Sequence, residues 1–170
     1  MNTTTRILLT AVLCTAAVAC SKKVKETPPP AEPTPSAPVT EAPATSGLYG
    51  PEDLDTDACL RQRVVYFDLD QDSLRPEFQA AMACHAKYLR DRPSSRMTME
   101  GNADERGSRE YNVGLGERRG NAVSSAVQAN GGSSGQITVT SYGEERPVCT
   151  DSNEDCWAKN RRAEIVYTAR

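Results

Sequence analysis

Gly101-Asn102-Ala103-Asp104-Glu105-Arg106-Gly107 begins a stretch that runs through Ser108-Arg109-Glu110-Tyr111-Asn112-Val113-Gly114-Leu115 to Gly116-Glu117-Arg118-Arg119-Gly120. Its first part is a polar loop; its second opens a helix crowded with charge. Gly107, Gly114, Gly116 and Gly120 call for sharp backbone geometry and close approach rather than a plain helix. Read this way, residues 108–112 make one short turn, Gly114 and Gly116 break it, and a main helix restarts over residues 117–129. Arg119 then falls in a first turn, where free backbone N–H groups and the helix dipole favour an anion. There it can clamp a carboxylate in a charge-assisted contact. Asp104, in the loop folded across that end, can accept hydrogen bonds from an ammonium. Cation and anion receptors so placed suit a zwitterionic amino-acid centre. An internal Asp104–Arg119 salt bridge that only fixes the loop accounts for the same residues equally well. Both side chains are expected to be accessible.

The flanking sequence supplies a sheet and a second helix. Arg63-Val64-Val65-Tyr66-Phe67 is β-branched and aromatic, and Asp68-Leu69-Asp70-Gln71-Asp72-Ser73 ends it with turn formers, so it reads as strand then loop. Pro76 is suited to the first position of a helix running to about Arg90. Phe78, Ala81, Met82, His85 and Leu89 recur on one face of it, which makes His85 a packed helix residue rather than a ligand. Pro93 stops that helix, and Arg96-Met97-Thr98-Met99-Glu100 is a strand that delivers the chain into Gly101. Beyond the central stretch, Leu115, Ala122, Val123, Ala126 and Val127 give its helix an apolar face. Gly131 to Gly135 is a turn, residues 136–142 alternate as a half-buried strand, 143–160 is a loop, and 162–167 is the last strand. The order β-α-β-α-β-β predicts an α/β (α+β) two-layer sandwich with both helices packed on one mixed sheet.

The chain has 170 residues and a net charge of −3, enough for about one domain plus extras. No strongly basic face is implied, so nucleic acid is not an expected partner. Residues 1–19 read as a secretory signal peptide: Arg6, an apolar run too short to span a bilayer, then small residues. Ala17-Val18-Ala19-Cys20 resembles the lipobox of bacterial lipoproteins, which implies lipidation of Cys20 and stable membrane attachment through several acyl chains. Residues 20–58 read as the lipidated N-terminus and a disordered tether, with seven of the eleven prolines between Pro28 and Pro43. At ~3.1 Å per residue such a tether reaches on the order of 100 Å. Residues 59–170 remain for the folded domain.

Cys59, Cys84, Cys149 and Cys156 follow the leader, and four thiols in an exported chain favour disulfides. Proximity in sequence pairs Cys149 with Cys156. An antiparallel helix returning beside the first strand pairs Cys59 with Cys84. No metal site is expected, because there is no CxxC and only one histidine. Gly114-Leu115-Gly116 is not a dinucleotide fingerprint, since its spacing is GxGxxxG and no strand precedes it directly. Asp68, Asp70 and Asp72 lack the glycine and distal glutamate of a calcium loop.

GNADERGSREYNVGLGERRGNAV resembles the signature of the OmpA-like peptidoglycan-binding domain, in the form carried by peptidoglycan-associated lipoproteins. Val65-Tyr66-Phe67-Asp68-Leu69-Asp70, the third-strand segment Ser141-Tyr142-Gly143-Glu144-Glu145-Arg146-Pro147 and Asn160-Arg161-Arg162-Ala163-Glu164-Ile165-Val166 match further family motifs. Asn102 stands where the family usually has His, and Gly120 where it usually has Ala. The resemblance implies non-covalent binding of the peptidoglycan stem peptide, chiefly its diaminopimelate, with Asp104 on the ammonium and Arg119 on the carboxylate. Asn112 and Leu115 would shape the pocket, Asp68 and Asp70 line its rim, and Asn160 and Arg161 belong to the matching motif. It implies no cofactor and no catalysis: adjacent Asp104 and Glu105 do not offer the opposed carboxylates that a wall hydrolase needs. It further implies an outer-membrane lipoprotein with its domain in the periplasm, and TolB and other Tol components as partners. A wall-binding lipoprotein without a Tol partner is the alternative.

Overall fold

Val65, Met97, Met99, Ala163 and Ile165 alternate with more polar neighbours along short runs, and a period of two puts them on one face of a sheet. A computed structural model describes residues 47–170. The expected leader, Cys20 and the proline-rich stretch to residue 46 lie outside the described residues. The sheet has strands β1 (Val64–Tyr66), β2 (Arg96–Asn102), β3 (Ile137–Gly143) and β4 (Arg162–Ala169), in the order β1-β4-β2-β3. β4 runs antiparallel to both β1 and β2, while β2 and β3 are parallel, so the sheet is mixed as expected. Helices α2 (Gln79–Asp91) and α3 (Arg109–Ala129) cover it, with short helices α1 (Asp53–Thr56) and α4 (Glu154–Asn160) outside this core. Phe67, Phe78, Met82, Leu89, Val123 and Val127 fill the space between helices and sheet.

The central helix departs from expectation. α3 is one unbroken helix of 21 residues beginning at Arg109, with the Ser108 hydroxyl capping Tyr111 N at 3.2 Å. Gly114 and Gly116 do not interrupt it. Gly116 and Gly120, one turn apart, lie where the helix backbone presses on the sheet. A Cβ on Gly116 would come within 2.9 Å of the Gly101 carbonyl oxygen, and one on Gly120 within 2.7 Å of Val139 Cγ1. Interior glycine costs a helix ~1 kcal/mol relative to alanine; here it permits a backbone-to-backbone contact that no side chain allows. The glycines signal close approach, not a break.

Two further boundaries move. The tether read to residue 58 ends earlier: Tyr49 and Leu54 are buried and pack with Leu60, Cys84 and Tyr88 on the far side of α2. The stretch 143–160, read as loop, contains α4, a seven-residue helix too short and polar for a periodic signal. Its stability comes from Asn153, whose side chain accepts from Cys156 N at 3.0 Å, and from a covalent clamp. Both expected disulfides form, Cys59–Cys84 and Cys149–Cys156. Among the described residues no helix is long and apolar enough to cross a membrane.

His85 is fully buried, as its place on the apolar face suggests. The Gln62 carbonyl, 3.2 Å from Nε2, can only accept, so Nε2 carries the proton and Nδ1 accepts from the Tyr167 hydroxyl at 2.8 Å. Burial pushes the imidazole pKa down to about 4, with Arg63 nearby adding to the effect and the Gln62 hydrogen bond opposing it. The folded chain therefore binds this proton only below about pH 4, whereas the unfolded chain takes it up near pH 6.5. The neutral histidine's contribution is full above pH 6.5 and is lost as pH falls from 6.5 toward 4. We predict a loss of stability on the order of 3 kcal/mol over that window, measured by urea unfolding, and a flatter profile in His85→Gln. The α3 glycines give an opposite pair of outcomes. Gly114→Ala, with only Arg118 Nη1 near at 3.5 Å, should stabilise by ~0.5–1 kcal/mol. Gly116→Ala should destabilise by ~1–3 kcal/mol in the same assay, because the added methyl meets backbone.

Candidate functional site

β2 ends at Asn102, and Ala103 N continues the pairing with Gly143 O at 2.8 Å before the chain turns away from the sheet. The turn is made by Asp104, whose carboxylate accepts from Arg106 N at 3.1 Å, a local bond of the kind aspartate favours in loops. Gly107 closes it at φ +106°, a left-handed conformation that glycine adopts without strain. From there the chain enters α3.

Asp104 is 5% exposed and does not pair with Arg119. Arg106 reaches back to it in a fork, Nε to Oδ1 at 3.1 Å and Nη2 to Oδ2 at 2.7 Å. Arg161, at the C-terminal end of α4, adds Nη1 to Oδ2 at 3.3 Å. Burial works to raise the Asp104 carboxyl, but hydrogen bonds from Arg106 and Arg161 outweigh it and hold the group below the usual carboxylate range. Arg106 in turn lies 4.2 Å over the Trp157 ring and 3.6 Å from Glu154. Trp157 Nε1 and Ser152 Oγ both donate to Glu105, at 3.0 and 2.7 Å, so α4 is fastened to the loop beside Asp104.

Arg119 is fully buried in the interior of α3, far from the helix start, and the first-turn anion argument does not apply to it. Its expected accessibility is likewise overturned. Nε donates to Gln71 O at 2.9 Å, Nη1 to Asn102 O at 2.9 Å and Nη2 to Asp68 O at 3.2 Å, with the guanidinium 5.3 Å over the Phe67 ring. Among the described residues Arg119 forms no ion pair with a carboxylate. Burial lowers its pKa to about 10, Asp104 opposing and Arg161 reinforcing the shift, so the group remains a cation at neutral pH.

Arg119 and Asp104 nonetheless share a cavity of about 220 Å³, completed by Leu69, Asp70, Arg106, Gly107, Tyr111, Asn112 and Leu115. The motif residues Asp104, Asn112, Leu115, Arg119 and Asp70 thus converge on one cavity. Asn112 Nδ2 donates to the Asp104 carbonyl at 3.1 Å and to Glu144, which holds the loop against α3. Asp70, at φ +56°, accepts from the Tyr111 hydroxyl across the mouth. Asp68 is placed differently: its carbonyl serves Arg119, while its side chain lies 3.8 Å from Arg75 on a neighbouring cavity of about 480 Å³. Asn160 is a structural member, binding Val148 N, Cys149 N and Cys149 O. Arg161 is joined to the site through Asp104. Arg106 and Tyr111 were not singled out in the sequence, although the spacing of Arg106 two residues after Asp104 is the signature of a side-chain-closed turn. Asn102, where the family usually has His, is buried, and its carbonyl is one of the three acceptors around Arg119.

Residues 66–161 match the OmpA family. A peptidoglycan-associated lipoprotein of Pseudomonas putida is 47% identical over 113 residues, which are 66% of this chain and 68% of that protein. The protein of the same name from Pseudomonas aeruginosa is 38% identical over 156 residues, 91% of this chain and 92% of its own length. The crystal structure of the peptidoglycan-associated lipoprotein from Burkholderia pseudomallei superposes with a TM-score of 0.66 at 41% identity, covering 68% of this chain and 98% of that one. The C-terminal domain of Helicobacter pylori MotB shares the fold, with a TM-score of 0.57 at 19% identity over 63% of this chain and 84% of that one. Family match, identity and fold agree: this chain belongs to the OmpA family.

Proposed function

We propose that the chain is a lipoprotein that binds peptidoglycan non-covalently through the free end of diaminopimelate, and so links the outer membrane to the cell wall. The observation that carries this reading is Arg119. A buried cation is costly unless a charge or a full set of acceptors compensates it. Among the described residues Arg119 has three carbonyls and no carboxylate, and it borders a cavity whose opposite charges are Asp104 and Asp70. A ligand carboxylate would take the donors that the three carbonyls leave on Arg119, with its ammonium on Asp104. Leu115 and Leu69 would pack on the aliphatic chain, and Asn112 would hold the Asp104 loop in register. The names of the relatives, peptidoglycan-associated lipoproteins, support wall binding and a lipid anchor.

The remaining architecture follows from the same reading. Residues 1–19 direct export, Cys20 carries lipid, the proline-rich stretch spans from membrane to wall, and the domain lies in the periplasm. The chain acts as the Pal component of a Tol-Pal system in envelope integrity and cell division, with TolB as its alternate partner. Its work is binding, not catalysis: the Asp104 carboxylate is held by two guanidiniums as a receptor and is not poised to exchange a proton near neutral pH.

Titration of diaminopimelate into the isotope-labelled full chain tests the site. Resonances of residues 69, 104, 112, 115 and 119 should shift, and Asp104→Asn should remove the response and the co-sedimentation with purified sacculi. Arg119→Ala should abolish binding too, while lowering stability by ~2–4 kcal/mol, since three carbonyls lose their donor. A folded Asp104→Asn chain that still sediments fully with sacculi would refute the assignment.

A further inference from the structure

The cavity that receives the ligand already contains a competitor for one of its two charges. A carboxylate offers about four acceptor positions. Four N–H groups approach Asp104: Arg106 N and Nε at 3.1 Å on Oδ1, Arg106 Nη2 at 2.7 Å and Arg161 Nη1 at 3.3 Å on Oδ2. No position is left for the hydrogen bonds of an incoming ammonium.

The two guanidiniums are not equally free to leave. Arg161 has a side chain only 7% exposed and is also held by the Phe67 carbonyl at 3.1 Å and by Glu154 at 2.6 Å. Arg106 is 33% exposed, and its fork on Asp104 is its only side-chain hydrogen-bonded contact among the described residues. A second carboxylate, Glu154, lies 3.6 Å from its Nη1, and the Trp157 ring supports its planar face at 4.2 Å. A small rotation toward Glu154 gives up the fork on Asp104 and tightens the ion pair already present with Glu154, while keeping the cation over the ring.

We propose that Arg106 is the gate of the ammonium subsite: the ligand's ammonium displaces its side chain from Asp104, and the guanidinium transfers to Glu154 over Trp157. This rests on the peptidoglycan reading above. The fork of Arg106 lowers affinity by the free energy needed to open it, and it screens the ligand, because only a cation that matches the fork repays the opening. A carboxylate lacking the neighbouring ammonium engages Arg119 and leaves the gate shut. Arg106 is thus a specificity-determining residue whose removal raises affinity, unlike removal of Asp104 or Arg119.

Calorimetric titration of diaminopimelate into the full chain, its Arg106→Ala and Arg106→Gln variants and Asp104→Asn is decisive. The two Arg106 variants should bind roughly two- to fivefold more tightly than the parent, the range expected for breaking one partly exposed ion pair. Glu154→Gln, which leaves an acceptor for Arg161 but no charge for Arg106, should weaken binding in the parent and have less effect beside Arg106→Ala. In the labelled parent chain the Arg106 Nε–H should lose its protection against solvent exchange on titration, which marks the opening of its fork on Asp104 rather than mere proximity to the ligand. Binding that is unchanged or weakened in both folded Arg106 variants overturns the gate alone. A parent chain that gives no heat, with Asp104→Asn equally silent, overturns the diaminopimelate reading and the gate with it.

Discussion

One buried guanidinium holds the site's walls in place. Arg119 rises from α3 and binds the carbonyls of Asp68 and Gln71 in the β1–α2 loop and of Asn102 at the end of β2. Three segments distant in sequence are set relative to one another by a single side chain, and the cavity is the space they leave. Arginine suits this position because its planar fork presents five donors in fixed directions, whereas a lysine would present a point charge. The charge that fixes the walls is also the charge that faces the cavity.

Around that group the chain is built for close contact. Gly101 in β2 and Gly116 and Gly120 in α3 let a helix backbone lie directly on a strand backbone. That proximity is what allows the Arg119 side chain to reach across the end of the sheet to the carbonyls of the first loop. Opposite it, Asp104 is shaped by α4, which brings Arg161 and Trp157 to the loop and is itself clamped by Cys149–Cys156. The cavity therefore has one wall fixed by helix packing and another fixed by a disulfide-bounded insert.

The sheet and two main helices were legible because period-two and helical spacing are local signals, with Pro76 opening the 3-10 turn that leads into α2 and Pro93 following its end. Both disulfides were legible from spacing and chain direction. The continuity of α3 was not, since glycine as a helix breaker and glycine as a packing surface look alike until the neighbouring strand is known. The partners of Asp104 were hidden for a similar reason: Arg106 and Arg161 are 55 residues apart in sequence and meet at one carboxylate only through the fold. α4 left no periodic trace, and the burial of Tyr49 and Leu54 sits just past proline-rich sequence that masks it. What motif resemblance supplied was the list of residues that converge, not the pairing among them.

The Cys59–Cys84 bond has a mechanical consequence. Tension applied to the chain ahead of residue 59 meets first the buried cluster that holds Tyr49 and Leu54 and then a branch point. The covalent shortcut across the bridge carries the load straight into α2 and bypasses residues 60–83. That bypassed segment contains Asp68, Leu69, Asp70 and Gln71, the loop that packs on Arg119 and forms one lip of the cavity. Tension on the chain ahead of residue 59 therefore cannot peel residues 60–83 out of the fold, and the loop that packs on Arg119 keeps its shape under load.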